Sequence, residues 1–486
     1  MPQNQVQDFF LFALSRILFV LVLGITCIDA YEQNADGLYL ANFNDIVSQS
    51  YSAINDVEIA PASLISQCRG SNSNGAQSLP EVVLTSTIGS TLNSFDVVNQ
   101  CGVNTTCILP EYLTLRITSS FSLGAFIVRG SLIWDDETQS SPNQWICAGY
   151  IAVEASGMFY MHLESPQKTG WIYIKDNGSV HSNLRSRAFG AVSHDISEQP
   201  DIDISGREMI RTWSLLAKPV EIGDTELYLM HDPSHMKWNI GDRIAIAPTG
   251  ERSDGTGQTF KITGFQAGNL IKLDSAALFS YQANFDVRSG SNHNKIPALQ
   301  SAEVVNLSRN IVVTGDDFTN IGCTNGLPES IPGEQTSVLG CRCGSIRTQC
   351  TMGLHIIHMH GGTHKIQNTR VELCGQRGVE GKYCLHFHKM KSCPDCLLKN
   401  NAIENSQQRG IIVHGTHLTK VTQNVLYDVR GAGLYIEDGN EMWNTLDYNV
   451  IICPWPLDDP IQRKYCFVLW YSAFIKHELI LIYFYT

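Results

Sequence analysis

Lys399-Asn-Asn-Ala-Ile403, Thr422-Gln-Asn-Val-Leu426 and Asp447-Tyr-Asn-Val-Ile451 are three copies of one phrase, and the apolar residue closing each copy recurs after 23 and then 25 residues. A period of about 20–50 residues marks a solenoid, and this one has the length of a single coil of a parallel β-helix. Asparagine suits the interior of such a coil, because stacked amides bond to one another and to turn backbone. Arg309-Asn-Ile-Val-Val313 and Ile366-Gln-Asn-Thr-Arg-Val371 have the same texture. The repeat predicts a right-handed, single-stranded parallel β-helix over 296–455.

Within that span a second phrase places polar chemistry where apolar residues are expected. Its copies are Tyr383-Cys-Leu-His-Phe-His388, Ile411-Ile-Val-His-Gly415 and Leu434-Tyr-Ile-Glu-Asp-Gly439. Setting Gly415 over Gly439 places His414 over Asp438, with His386 or His388 one coil further along. Side chains alternate faces along a strand, so equivalent positions on stacked coils form a ladder. His386, His388, His414, Glu437 and Asp438 are therefore the candidate catalytic residues. Imidazole beside carboxylate has its pKa raised and its tautomer fixed, as a proton shuttle requires. Hydrolysis of a glycosidic bond usually takes two carboxyl groups. Neighbours such as Glu437 and Asp438 face opposite sides of a regular strand, so histidine or Glu441 or Asp447 would have to complete the pair. A lyase route with histidine as base stays open. As metal ligands, the three histidines with Asp438 suit a zinc-like tetrahedron, while Ca2+ would take the oxygens of Glu437, Asp438 and Glu441.

Upstream, short alternating strands such as Leu113-Thr-Leu-Arg-Ile117 and Trp171-Ile-Tyr-Ile174 are punctuated by Gly124, Gly130, Gly149, Gly157, Gly170 and Gly178. No long stretch with a 3.6-residue period competes with them. The predicted order is an N-terminal signal peptide or anchor (1–30), an unassigned region (31–81), a glycine-punctuated β domain (82–210), a second small β unit (211–295), the β-helix (296–455) and an atypical apolar tail (456–486). The tail lacks the asparagine repeat and reads as the point where a longer solenoid is cut short. A membrane span there is disfavoured by Lys476, His477 and Glu478.

Composition narrows the function. The formal charge of −13 excludes a general nucleic-acid binder, which would need a basic excess to neutralise phosphates. The apolar run after Phe9, with Arg16 inside it and Ala30 after it, reads as a secretory signal, so any membrane contact is through that segment alone. Fifteen cysteines then predict disulfides, including at Cys393-Pro-Asp-Cys396 and Cys341-x-Cys343, rather than structural zinc. Asn104, Asn177 and Asn306 head glycosylation sequons, consistent with a secreted or cell-surface chain.

The glycine-rich block, with Trp171-Ile-Tyr-Ile-Lys-Asp-Asn-Gly178 and Leu184-Arg-Ser-Arg-Ala-Phe-Gly190, resembles the eight-glycine domain of extracellular proteins. Trp238-Asn-Ile-Gly-Asp-Arg-Ile-Ala-Ile246 resembles the unit that follows it. The phrases from Tyr383 to Gly439, with Asn444, resemble the pectin-lyase-like β-helix of the cell migration-inducing, hyaluronan-binding family, which includes a cell-surface hyaluronidase. The resemblance covers about 82–455 in domain order. It implies binding of hyaluronan or a similar anionic glycosaminoglycan and, in some members, its depolymerisation as a glycosidase; the alternative is a non-catalytic carbohydrate-binding or adhesion protein. Arg185, Arg187, Lys389, Lys391 and Asn444 are the candidate substrate contacts.

Overall fold

The computed structural model of the chain describes residues 60–69, 78–316 and 353–452, except 196, 250–257, 268, 286–298, 377–378, 407 and 430, together with the backbone of Lys476–Glu478 and Leu481–Ile482. Three long parallel sheets enclose one apolar core. Each coil gives one strand to each sheet. In the first sheet Thr106–Leu109, Ala125–Val128, Ile151–Glu154, Ala188–Val192, His355–Met359, Leu385–Ser392, Ile411–His417 and Leu434–Ile436 lie side by side. The fold is a parallel β-helix.

The sequence period is its coil, for Ile403, Leu426 and Ile451 are direct partners in the third sheet. The asparagine of each phrase turns inward beside them. Asn401 Nδ2 donates to Asn424 Oδ1 at 3.0 Å, and Asn424 Nδ2 to Asn449 Oδ1 at 2.9 Å. Each receiving oxygen also takes the backbone N–H of the asparagine one coil back. These amides satisfy corner backbone that the sheets leave unpaired.

The solenoid does not begin near 296. Glu81–Val83 already pairs in parallel with Thr106–Leu109, and Thr169–Ile174 pairs directly with Ile311–Gly315. The stretches 82–210 and 296–455 are thus one β-helix rather than two domains. The early coils escape the asparagine signal because their second and third sheets are joined by longer links, 136–142 and 163–168, where later coils have the two residues 400–401 or 423–424; glycine closes a different corner. Gly130, Gly157 and Gly362 stand just before second-sheet strands of separate coils, and a Cβ there would lie 2.4, 2.3 and 1.9 Å from a carbonyl oxygen of the coil behind. The tail also departs from expectation: Lys476–Glu478 and Leu481–Ile482 pair in parallel onto the second and third sheets.

Between two coils the chain leaves the solenoid to build a six-stranded sheet, from Trp213–Leu215 to Glu303–Asn306, around its own core. This insert covers the outer face of the third sheet. Trp213, Leu215, Ala245 and Val305 pack on Ala402, Val425, Tyr427 and Val450, and the Trp213 indole donates to Tyr448 O at 3.0 Å. The short helix Ala62–Cys68 covers an earlier part of that sheet and is tied down by Cys68–Cys147.

Among the described residues three further disulfides, Cys101–Cys107, Cys374–Cys384 and Cys393–Cys396, also suit an oxidising compartment. The Cys-Pro-Asp-Cys motif is accordingly a bridge, while Cys341, Cys343 and the N-terminal signal lie outside the described residues. Among the described residues no helix is long and apolar enough to cross a membrane. Of the three sequons, Asn104 is exposed. Asn306 is fully buried and bonded to Asp242, which leaves no room for a glycan there, while Asn177 is half-buried, its Nδ2 donating to Gly124 O.

Candidate functional site

The inward positions of the late first-sheet strands are apolar: Leu385, Ile411 and Leu434, then Phe387, Val413 and Ile436, stack in the core. Alternation therefore turns His386, His388 and His414 to the outer face. His388 and His414 are direct partners on neighbouring strands. One coil on, Val413 pairs with Ile436, and the Glu437 N–H donates to Val413 O at 3.1 Å. The residue opposite His414 is thus Glu437, and the alignment of Gly415 with Gly439 is one residue off. Glycine is an unreliable ruler here because the chain leaves the strand at Ile436. Buried Glu441 holds the two backbones together instead, its Oε1 accepting from Gly415 N at 2.9 Å and from Asp438 N at 3.1 Å.

That departure from the strand brings the two carboxylates to one imidazole. Glu437 Oε2 lies 3.3 Å from His414 Nδ1, and Asp438 Oδ2 lies 3.2 Å from His414 Nε2. The expectation that they face opposite sides fails because alternation applies only while the strand continues.

The other two histidines close the group from the preceding strand. The His386 ring lies 6.0 Å from that of His414 and nearly parallel to it, and the His388 ring lies 4.7 Å from His414. Burial, with His388 beside it, pushes His386 well below the ordinary imidazole range. Burial and then His414 lower His388 to about 4, so both are neutral at physiological pH. His360 stands at the margin, its ring 5.8 Å from His388, and burial followed by Lys389 and Lys391 lowers it too.

Two residues absent from the sequence expectation complete the site. Arg409 Nη1 donates to Tyr383 Oη at 3.0 Å and to Glu437 Oε1 at 3.2 Å, while its guanidinium lies 4.2 Å from the centre of the Tyr435 ring. Burial raises the Tyr383 phenol to about 12, so it stays protonated. Their signal was present in the sequence, since aligning Leu385 with Ile411 sets Tyr383 over Arg409.

The proposed substrate contacts divide. Lys389 and Lys391 are exposed beside the histidines, in the bulge of Leu385–Ser392. Arg185 is exposed near Lys382, whose amine is lowered to about 7 by burial and then by Arg185 itself. Arg187 is 1% exposed and donates to Asp316 O inside the fold. Asn444 is also buried, joining Thr419 to Thr416 O as a corner amide. Neither can touch a saccharide. Glu437 and Glu441 do not converge as a calcium cage: one faces imidazoles and Arg409, the other clamps backbone. His358 and His364 lie in the core, Nδ1 to Nδ1 at 3.0 Å. A separate cavity of about 840 Å³ between the insert and the coils includes Arg207, Lys237 and Glu208. Arg207 there is paired with Asp242 and Lys237 with Glu208, and Lys399 also lines it.

Residues 351–464, which include this cluster, match the family model described as CEMIP beta-helix. Human Fibrocystin-L is 28% identical over 293 residues, covering 56% of this chain and 7% of its own length. A G8 domain-containing protein of Dictyostelium discoideum is 24% identical over 300 residues, covering 61% of this chain and 23% of the relative. Protein rliB of the same organism is 25% identical over 264 residues, covering 54% of this chain and 19% of rliB. The chain thus spans less than a quarter of the length of these curated relatives. Among solved structures, the tailspike gp49 of Pseudomonas phage LKA1 covers 62% of this chain and 42% of its own at 11% identity and a TM-score of 0.18, too low to carry an argument.

Proposed function

We propose that this extracellular chain, with its eight-glycine region and CEMIP-type β-helix, binds an anionic glycosaminoglycan such as hyaluronan on the outer face of the first sheet and hydrolyses it at His414. The observation that carries the reading is the pair of carboxylates, Glu437 and Asp438, on the two nitrogens of one imidazole. The ring stands between them, so a glycosidic bond would be met from its outer edge, where Asp438 is the most exposed of the three. Glu437, which accepts from Arg409, suits the base; Asp438, its side chain 44% exposed, would meet the leaving oxygen. His414 between them can relay a proton. Lys389 and Lys391 supply positive charge for the uronate groups, and the rings of Tyr383 and Tyr435 stiffen the wall through Arg409.

The test is incubation of the purified chain with hyaluronan of defined length. Hydrolysis gives shortened chains with saturated new ends. Unsaturated uronate ends would instead establish elimination, and retention without shortening would leave a carbohydrate-binding protein.

A further inference from the structure

The geometry points to a transition-metal site, of the Zn2+ class, formed by His386, His388 and His414 with Glu437 as fourth ligand. This inference stands on the imidazole arrangement and does not depend on the saccharide reading. The three histidines each offer a nitrogen within 4.8 Å of the others. In a tetrahedral zinc site with bonds of about 2.0–2.1 Å, ligand nitrogens are roughly 3.3 Å apart, so modest rotation of the rings closes the set.

The independent observation is a pair of buried, unpartnered nitrogens. His386 has a side chain 1% exposed, and its Nδ1 lies 3.1 Å from Gly381 O. A carbonyl only accepts, so Nδ1 carries the proton and Nε2 presents a bare lone pair. That Nε2 is buried with no hydrogen-bond partner, and so is Nδ1 of His388. A lone pair shut away from water and from donors is costly unless something binds it. A metal ion does so, and the bond from Nδ1–H to a backbone carbonyl is the usual outer support of a ligating histidine. Glu437 Oε2 already sits 3.3 Å from His414 Nδ1 and 3.9 Å from His386 Nε2, within reach as a fourth ligand; in the ion-loaded chain it would be a ligand rather than the base. Arg409, on the other carboxylate oxygen, would hold that ligand in place. Neutral imidazoles favour zinc-class ions over calcium, which prefers a shell of oxygens.

The full secreted chain, stripped with a chelator and titrated with Zn2+ by calorimetry, is expected to bind one ion. Co2+ should give the absorption of a tetrahedral nitrogen and oxygen site without a thiolate charge-transfer band. His388→Ala should weaken Zn2+ by roughly 100-fold or more, beyond the 10–100-fold seen for loss of an outer-shell partner. The stripped variant should melt with the stripped parent; if it does not, His414→Gln takes its place in the titration. Zinc should raise the melting temperature of the parent and leave that of the variant unchanged. Absence of binding overturns the proposal, as does undiminished binding in the variants, a thiolate spectrum, or selective binding of Ca2+ instead.

Discussion

Asn424→Leu should destabilise the solenoid far more than its conservative shape suggests. Leucine matches asparagine in heavy-atom count and branching but not in bulk, so the substitution removes the hydrogen bonds and adds two methyl groups to a packed corner. Asn424 is fully buried. Its Oδ1 accepts from Asn401 N and Asn401 Nδ2, both at 3.0 Å, and its Nδ2 donates to Leu398 O and Asn449 Oδ1, both at 2.9 Å. Two partners keep a second bond, since Asn401 Nδ2 also reaches Ile366 O and Asn449 Oδ1 still takes Asn424 N. The Asn401 N–H loses its acceptor, which costs about 1–3 kcal/mol, and the other lost bonds add roughly 1 kcal/mol each. The sum is about 4–6 kcal/mol, a large share of the 5–15 kcal/mol typical of a folded protein. Guanidinium unfolding followed by tryptophan fluorescence reads it, with exposed Lys420→Leu on the same coil as a control expected within about 0.5 kcal/mol. A loss below about 1 kcal/mol in Asn424→Leu would refute the view that the amide ladder holds the coils.

Acidification should destabilise the fold through core histidines. His358, fully buried, has its pKa lowered to about 4 by burial, so the unfolded chain binds the extra proton between about pH 6.5 and 4 and stability falls across that window, by roughly 3 kcal/mol from this residue alone. A melting temperature that rises from pH 7 to 5 would contradict this. Trp213→Ala should cost about 3–5 kcal/mol and loosen the insert, seen as faster proteolytic cleavage within 211–307 while the solenoid persists. Replacing Lys389 and Lys391 together by alanine should weaken retention of hyaluronan oligosaccharides, most at low salt, whereas Arg187→Ala should lower stability through its buried bond to Asp316.

The coil and the late core were legible because the phrases around Asn401, Asn424 and Asn449 repeat at coil length, and each apolar closure became a register partner. The early coils were not, because their second and third sheets are joined by links of seven and six residues, 136–142 and 163–168, rather than by a repeating two-residue asparagine corner. Gly130 and Gly157 read as ordinary turns until a neighbouring carbonyl is placed against them. The outward column of histidines followed from alternation alone, whereas the meeting of Glu437 with Asp438 depends on where the strand ends. A clamp by Glu441 decides that end, and no period announces it. Arg187 and Asn444 were misread for one reason: charge and amide are taken as surface chemistry, while this solenoid uses both to satisfy buried backbone.

Hydrolysis at His414 requires that its flanking carboxylates act on a bound glycosaminoglycan. It is tested most directly by measuring reducing ends released from size-defined hyaluronan by the parent chain, Glu437→Gln and Asp438→Asn, with binding followed in parallel. The account predicts cleavage by the parent, a loss of about 10²–10⁴-fold in each variant, and oligosaccharide retention largely preserved in Asp438→Asn. Cleavage at the parental rate in both variants would contradict it, as would a parent chain that neither retains nor shortens the polymer.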